Sequence, residues 1–541
     1  MNNSGDHPLT ALSSGTYTVW SSGVVNMTNP FAPAASQTVL YGGVGQGAIV
    51  ASSTDTQYLD EFVAIPVATA ASNATLSGAY QVASLEFIGG SATSTRNTFS
   101  SMTADGKGGM GTVTIGGTST ALNSTATTQT SAGVTYTVAA NGSGTLNFPA
   151  PAGVTTANQL LVGNKTLYVS SDGSLFIAGS PTGYDFEIGI KQPAGNSSSV
   201  LSGLYFTTDL ENCTDCGTSN GIAGYGGSFN ELGDTTGDEL DHLRANFDGD
   251  FNSGYSSYDY TYNSTLTLDK NGYSTDSAKN GYSTDSANYK LGTSANGNYV
   301  LVSGLSGDYY LQLGVKALPV SGTGVFLNPF GVVNAGSSDP FTAQLSPGEV
   351  ITLYGSGMAN GSPATASAPF PNSLGGTQVL ITPLNATTAL NAPVYSVSAT
   401  QISAVVPYNI PNGTYEVAIQ VNNNGTLSNA VQAYIGSTSP GVFTIPTGGL
   451  GNGAILHADY TLVSNTSPAK AGETVLIFLT GLGAVSPAVT AGRHRRVCRA
   501  GPGIRRPLPV ERNDSFGRRH GRSVPGNLLR RFGQQSGHDS A

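Results

Sequence analysis

Residues 209–262 hold the side chains best suited to chemistry. Cys213 and Cys216 form a C-x-x-C within ENCTDCGTSNG. Redox use of such a pair needs a strand before it and a helix after it, so that the helix N-terminus lowers a thiol pKa. GTSNG is a turn. A zinc centre needs four ligands, and the one other thiol, Cys498, sits in an arginine-rich stretch of different character. The pair therefore reads as a small loop disulfide of an exported protein; a metal site or free redox thiols are the alternatives.

FDGDFNSGYSSYD places Asp248, Asp250 and Asn252 at positions 1, 3 and 5 of a calcium-type loop, with Asp259 at position 12. Hard oxygen ligands at this spacing suit Ca²⁺. Ser253 stands at position 6, where such loops carry Gly, and the favoured reading is a hairpin turn rich in Asp and Gly. Tyr258, Tyr260 and Tyr262 alternate, so a strand would present them on one face. Stacked tyrosines can bind sugar rings, although cross-strand aromatic packing is the commoner use. His242 has Asp238, Glu239 and Asp241 beside it in GDELDHLRANF, which reads as a charged, solvated loop. The G-x-S-x-G spacing occurs in GTSNG (Gly217–Gly221), the turn named above and not the strand-to-helix elbow that the motif needs, and there is no H-E-x-x-H. No catalytic residue and no cofactor are assigned, calcium remaining the one candidate ion.

The elements that must carry these residues are strands. Charged residues make up 10% of the chain, against a usual quarter, and there are 72 Gly. Short alternating runs such as GTVTIGG, TYTVAA and NYVLVSG are broken by DG, NG and GG turns. The expected fold class is all-β: tandem antiparallel barrel- or sandwich-like repeats, then immunoglobulin-like β-sandwich modules, then a disordered C-terminal tail. Residues 1–490 carry 10 basic and 29 acidic side chains, whereas residues 491–541 carry 12 Arg and 3 acids. An acidic body repels nucleic acid and anionic membrane surfaces. No apolar run is long enough to span a bilayer as a helix.

Two stretches read as copies of one unit. LSGAY at Leu76 and YDFEIGIK ending at Lys191 recur as LSGLY at Leu201 and DYYLQLGVK ending at Lys316, both at a spacing of 125 residues. GTYTV at Gly15–Val19 resembles VTYTV at Val134–Val138, so residues 1–70 read as the closing half of a third copy, truncated at its N-terminus. Such a half has open edges and should lean on a neighbour. The repeat units are 71–195 and 196–322, the second with KNGYSTDSA duplicated in tandem at 270–287. Modules follow at 323–437 and 438–490, then the tail at 491–541.

From about residue 325 the text changes. VVNA (Val332–Ala335), PGEVITLYGSG (Pro347–Gly357), QISAVVPY (Gln401–Tyr408), PGVF (Pro440–Phe443) and ETVLIFLTGLGAVSP (Glu473–Pro487) follow in order. These words resemble the uncharacterised Solibacter-type C-terminal domain of secreted Acidobacteria proteins, over about residues 325–490. The region also looks similar to the IPT/TIG type of immunoglobulin-like fold. The resemblance implies export and attachment to a larger secreted protein, with no activity attached. The second module stops near half the length of a sandwich.

The tail has no strand alternation and no lysine. Arg with Gly, Pro, Ala and His is what a GC-rich gene yields out of frame. Codons for Arg522–Pro525, shifted by one base, can read Gly-Leu-Tyr-Gln, which resembles the end of this family. A frameshift is the favoured origin and a real basic arm the alternative. The expected protein is non-catalytic and exported, at the cell surface or outside the cell, its signal peptide lost with the truncated N-terminus. Its role would be structural, adhesive or ligand-binding, with extracellular polysaccharide or other surface proteins as partners. A secreted carbohydrate hydrolase with accessory modules and a non-functional gene fragment are the rivals. Resequencing the locus through the Thr490 codon should reveal the rest of a sandwich module in another frame; an intact frame would make the basic tail genuine.

Overall fold

The computed structural model describes residues 15–29, 39–54, 59–192, 201–214, 221–232, 237–249, 254–265, 289–304, 307–484 and 497–499. The tandem KNGYSTDSA lies outside them. The protein is all-β, in antiparallel sheets, and its helical segments are single 3-10 turns. It divides into two compact units, one built on the strands up to Leu318 and the other on those after Pro319.

In the first unit, β1–β5 (Tyr17–Val19, Val24–Thr28, Val39–Val44, Ile49–Ser53, Phe62–Ala64) form a five-stranded meander. Strands β6–β13 close into an eight-stranded barrel: Ser77–Phe87, Thr95–Asp105, Gly109–Ser119, Thr127–Val138, Ser143–Phe148, Gly163–Val169, Leu175–Gly179 and Asp185–Lys191. Alternation puts Tyr80, Val82, Ile115, Tyr136, Leu146 and Phe176 in its interior. Strands β14–β20 (Gly203–Cys213, Gly221–Glu231, Asp238–Gly249, Gly254–Thr265, Tyr289–Thr293, Tyr299–Gly304, Asp308–Lys316) form a seven-stranded sheet. Its order, β17-β16-β15-β14-β20-β19-β18, repeats the barrel's plan, with β14 in the place of β6 and β20 in that of β13.

The two copies share turn chemistry as well as order. The Tyr80 hydroxyl donates to Gly173 O at 2.6 Å, and the Tyr205 hydroxyl to Gly297 O at 2.6 Å. Leu175 N donates to Ser170 Oγ, and Tyr299 N to Ser294 Oγ. The meander covers one face of the seven-stranded sheet. Thr208 Oγ1 donates to Ala51 O and Asn246 Nδ2 to Ser53 O, both at 2.6 Å, and Gly45 bridges to Ala317.

One end of the barrel interior is ionic. Arg96 Nε lies 2.7 Å from Glu86 Oε2, while Lys165 bonds to Asp185 and stands 3.3 Å from Glu187 Oε1. Three carboxylates share two cations. Burial pushes the Glu187 pKa up to about 7, against the opposing pull of Lys165.

In the second unit, β21–β30 form a two-sheet sandwich: Phe326–Asn334, Val350–Ser356, Ala364–Thr365, Thr377–Pro383, Leu390–Ala392, Val394–Val397, Gln401–Val405, Glu416–Asn423, Thr426–Leu427 and Val431–Tyr434. One sheet runs β21-β22-β27-β26-β23; the other runs β25-β24-β28-β29, with β30 also on β28. Strict alternation in TQVLITP and EVAIQVNN sends Val379, Ile381, Ile419 and Val421 into the core against Ile351, Leu353 and Ile402. Strands β31–β36 follow: Gly441–Val442, Thr444–Ile445, Asn452–Gly453, Ile455–His457, Val475–Thr480 and Val497–Arg499. The last of these pairs with β35, Ile477 opposite Cys498, and occupies an edge that the apolar VLIFLT strand would otherwise leave open. The rest of the tail lies outside the described residues.

The ionic end of the barrel sets a pH dependence. A carboxyl whose folded pKa exceeds its ordinary 4.5 adds stability below that value and loses it as pH rises through the folded pKa. Between about pH 4.5 and 7 this group should therefore lower stability as pH rises. Glu187→Gln should remove that slope and raise stability at pH 8 by up to about 3 kcal/mol, the difference closing near pH 4.5, as read by thermal unfolding across this range.

Candidate functional site

GDELDHLRANF and SSYDYTYNST form β16 and β17, which pair along their whole length from Asp238↔Thr265 to Gly249↔Gly254. Asp250 and Asn252 fall in the turn of this hairpin, outside the described residues, and Asp248 lies on β16 beside that turn. Asp259 sits five residues up β17, opposite Arg244, roughly 16 Å along the strand from Gly254 at about 3.3 Å per residue. Its oxygens meet His242 Nε2 at 3.1 Å and Arg244 Nε at 3.5 Å. The hairpin thus separates Asp259 from the turn and gives it His242 and Arg244 as partners.

His242 is fully buried, in a strand and not in a solvated loop. Its partner comes from the facing strand and not from its acidic neighbours in sequence. Tyr262 is also core: it packs with Ala223, Tyr225, Leu243 and Ala245. Tyr260 stacks on it at 5.8 Å between centroids and is 38% exposed. The side chain of Tyr258 lies outside the described residues. Of the described pair, Tyr262 is thus turned inward and Tyr260 reaches the surface.

Cys213 ends β14 and is disulfide-bonded; Cys216 lies outside the described residues. Ligand atoms of Glu211, Cys213 and Asp308 come within 4.8 Å of one another, but a disulfide sulfur offers no thiolate to a metal.

Beside Cys213, sequence reasoning missed an acidic row. Asp209 and Glu211 point the same way from β14 and are buried. Tyr310 donates to Asp209 Oδ2 at 2.8 Å, Gln312 to the same oxygen at 3.2 Å, and Tyr225 to Glu211 Oε2 at 2.8 Å. The signal was the i, i+2 spacing in DLENC, which becomes meaningful once the facing strands are known.

The second unit holds an open hollow of about 460 Å³ on its first sheet, within the size range of small-molecule sites. A bulge creates it. Leu327 pairs with Gly355 and Val332 with Leu353, so residues 328–331 stand opposite Tyr354 alone. Bulges re-aim side chains beside sites. Asn328 Oδ1 accepts Phe330 N at 3.0 Å and holds the bulge. Gly331 is required there, because a Cβ would lie 2.8 Å from Tyr354 O. Tyr354, 43% exposed, faces Gln401 across β22 and β27. Phe326, Asn328 and Thr400 also line the hollow, and none of its lining residues carries a charge.

The words that carry the family resemblance, which supply Tyr354 and Gln401 to the hollow, also meet at the joint between the sandwich and the strands after it. Asn334 Nδ2 donates to Ser439 O at 2.9 Å, Val350 N to Thr480 Oγ1 at 2.6 Å and Ser346 Oγ to Gly481 O at 3.1 Å. Glu349 is buried beneath them, accepting Ser346 N at 2.7 Å, and burial holds its carboxyl well above the usual range. No protein-family model matches the chain, and no curated protein matches it.

The disulfide is open to direct test. Non-reducing digestion with peptide mapping should recover Cys213 linked to Cys216, with Cys498 free to alkylate. Linkage of Cys213 to Cys498 would overturn the loop-disulfide reading.

Proposed function

We propose that this chain is a non-catalytic, exported bacterial protein of the cell surface or exterior, and that its role is to bind a ligand through its modules. The observation that carries the reading is the contrast between its carboxylates and its hollow. Asp209, Glu211, Glu187 and Glu349 are each buried in a sheet interior or a joint. A glycosidase acid pair must instead flank an open cleft that admits both substrate and water. The open hollow is lined by amide, hydroxyl and aromatic groups, which can hold a ligand but supply neither a general acid nor a nucleophile poised near neutral pH.

Export is supported by the resemblance over residues 325–490 and by the Cys213 disulfide, a bond typical of oxidising compartments. The immunoglobulin-like assignment of the sandwich belongs to the same reading. The acidic body disfavours nucleic acid as a partner, and among the described residues no helix is long and apolar enough to cross a membrane.

Incubation of the full chain with soluble polysaccharides should release no reducing ends over a day. Release that disappears in Asp209→Asn would replace this reading with the hydrolase.

A further inference from the structure

We infer that the hollow beside Tyr354 binds a segment of a neutral polysaccharide; this rests on the ligand-binding reading above and names its ligand class. The first support is electrostatic. With no charged lining residue, the site offers nothing to pair with a phosphate, a carboxylate or an ammonium group, each of which needs an opposite charge or a dense set of donors when it leaves water.

The second support is the pairing of one aromatic face with free amides and hydroxyls. The Tyr354 ring is exposed over the hollow, and Phe326 forms part of its wall. Beside them, the side-chain amide of Gln401, the Asn328 NH2 group and the Thr400 hydroxyl make no hydrogen bond to another described residue. A pyranose presents the complementary surface: an apolar C–H face for the ring, and an edge of hydroxyls that both donate and accept. Asn and Gln amides match that edge because each carries donors and an acceptor.

The third support is shape and rigidity. The hollow is open to solvent on the sheet surface, so it encloses no ligand end. The groups stand on paired strands, Tyr354 opposite Gln401, and on a bulge fixed by the Asn328–Phe330 hydrogen bond. Binding therefore orders little that is not already ordered.

Affinity gel electrophoresis of the full chain tests this, with a soluble β-glucan, a xylan and a galactomannan as neutral probes and polygalacturonate as the anionic one. At least one neutral polymer should retard the protein and polygalacturonate should not. Tyr354→Ala and Gln401→Ala should each weaken the retardation about tenfold with an unchanged unfolding midpoint, and Tyr354→Phe should retain it. Retardation that persists in both alanine variants would overturn the hollow as the site while leaving ligand binding in place. No retardation by any neutral polymer, or retardation by polygalacturonate alone, would overturn the ligand class. Failure of the broader reading has its own signature, the release of reducing ends.

Discussion

Phe206 lies flat against Gly43, and much of the first unit depends on that approach. A Cβ on Gly43 would fall 2.0 Å from the Phe206 ring, and one on Gly224 would fall 2.8 Å from Asp60 N. The meander comes within hydrogen-bonding reach of the seven-stranded sheet because neither residue has a side chain. Closeness of this kind removes the thickness of a normal core, about 10 Å between sheets. It replaces apolar burial with side chain-to-backbone hydrogen bonds from Thr208 and Asn246. The abundance of glycine is thus partly a packing device and not only a source of turns.

The same economy of charge shapes the interiors. The barrel offsets three carboxylates with Arg96 and Lys165. The seven-stranded sheet holds Asp209 and Glu211 with tyrosine hydroxyls and an amide. The barrel's buried acids thus meet cations, whereas Asp209 and Glu211 of its copy accept from tyrosine hydroxyls and an amide, although strand order and turn chemistry are shared. Repeats preserve backbone plan more readily than side-chain electrostatics, because the plan is fixed by alternation and turns and the charges need only be satisfied locally.

Much of this was legible in the sequence. Period-two alternation and Gly-containing turns gave the all-β class, since those signals are local. The 125-residue spacing brought Tyr80 and Tyr205 to matching places. What could not be read was register across strands. His242 looked solvated because its sequence neighbours are acidic, and its partner Asp259 is 17 residues away. Asp259, at position 12 of the calcium-type spacing, lies five residues up β17 beside His242 and Arg244. The hollow at Tyr354 left no mark in the linear text, because PFG between Asn328 and Val332 reads as an ordinary strand break until its partner strand is known to lack a matching gap. Family-like words were the most visible feature of the second half. They mark a joint, where buried hydrogen bonds restrict the choice of residue, and they also supply Tyr354, Gly355, Ser356 and Gln401 to the hollow.

That bulge has a consequence for how the protein can change. Four residues face one, so the register on either side, Leu327 with Gly355 and Val332 with Leu353, is anchored independently of what lies between. The hollow draws Asn328 from this bulge, and a change there leaves the strand register on both sides where it is. The sandwich therefore separates the pairing that keeps it folded from the surface of the hollow, and a lineage could diversify that surface at little cost to its architecture.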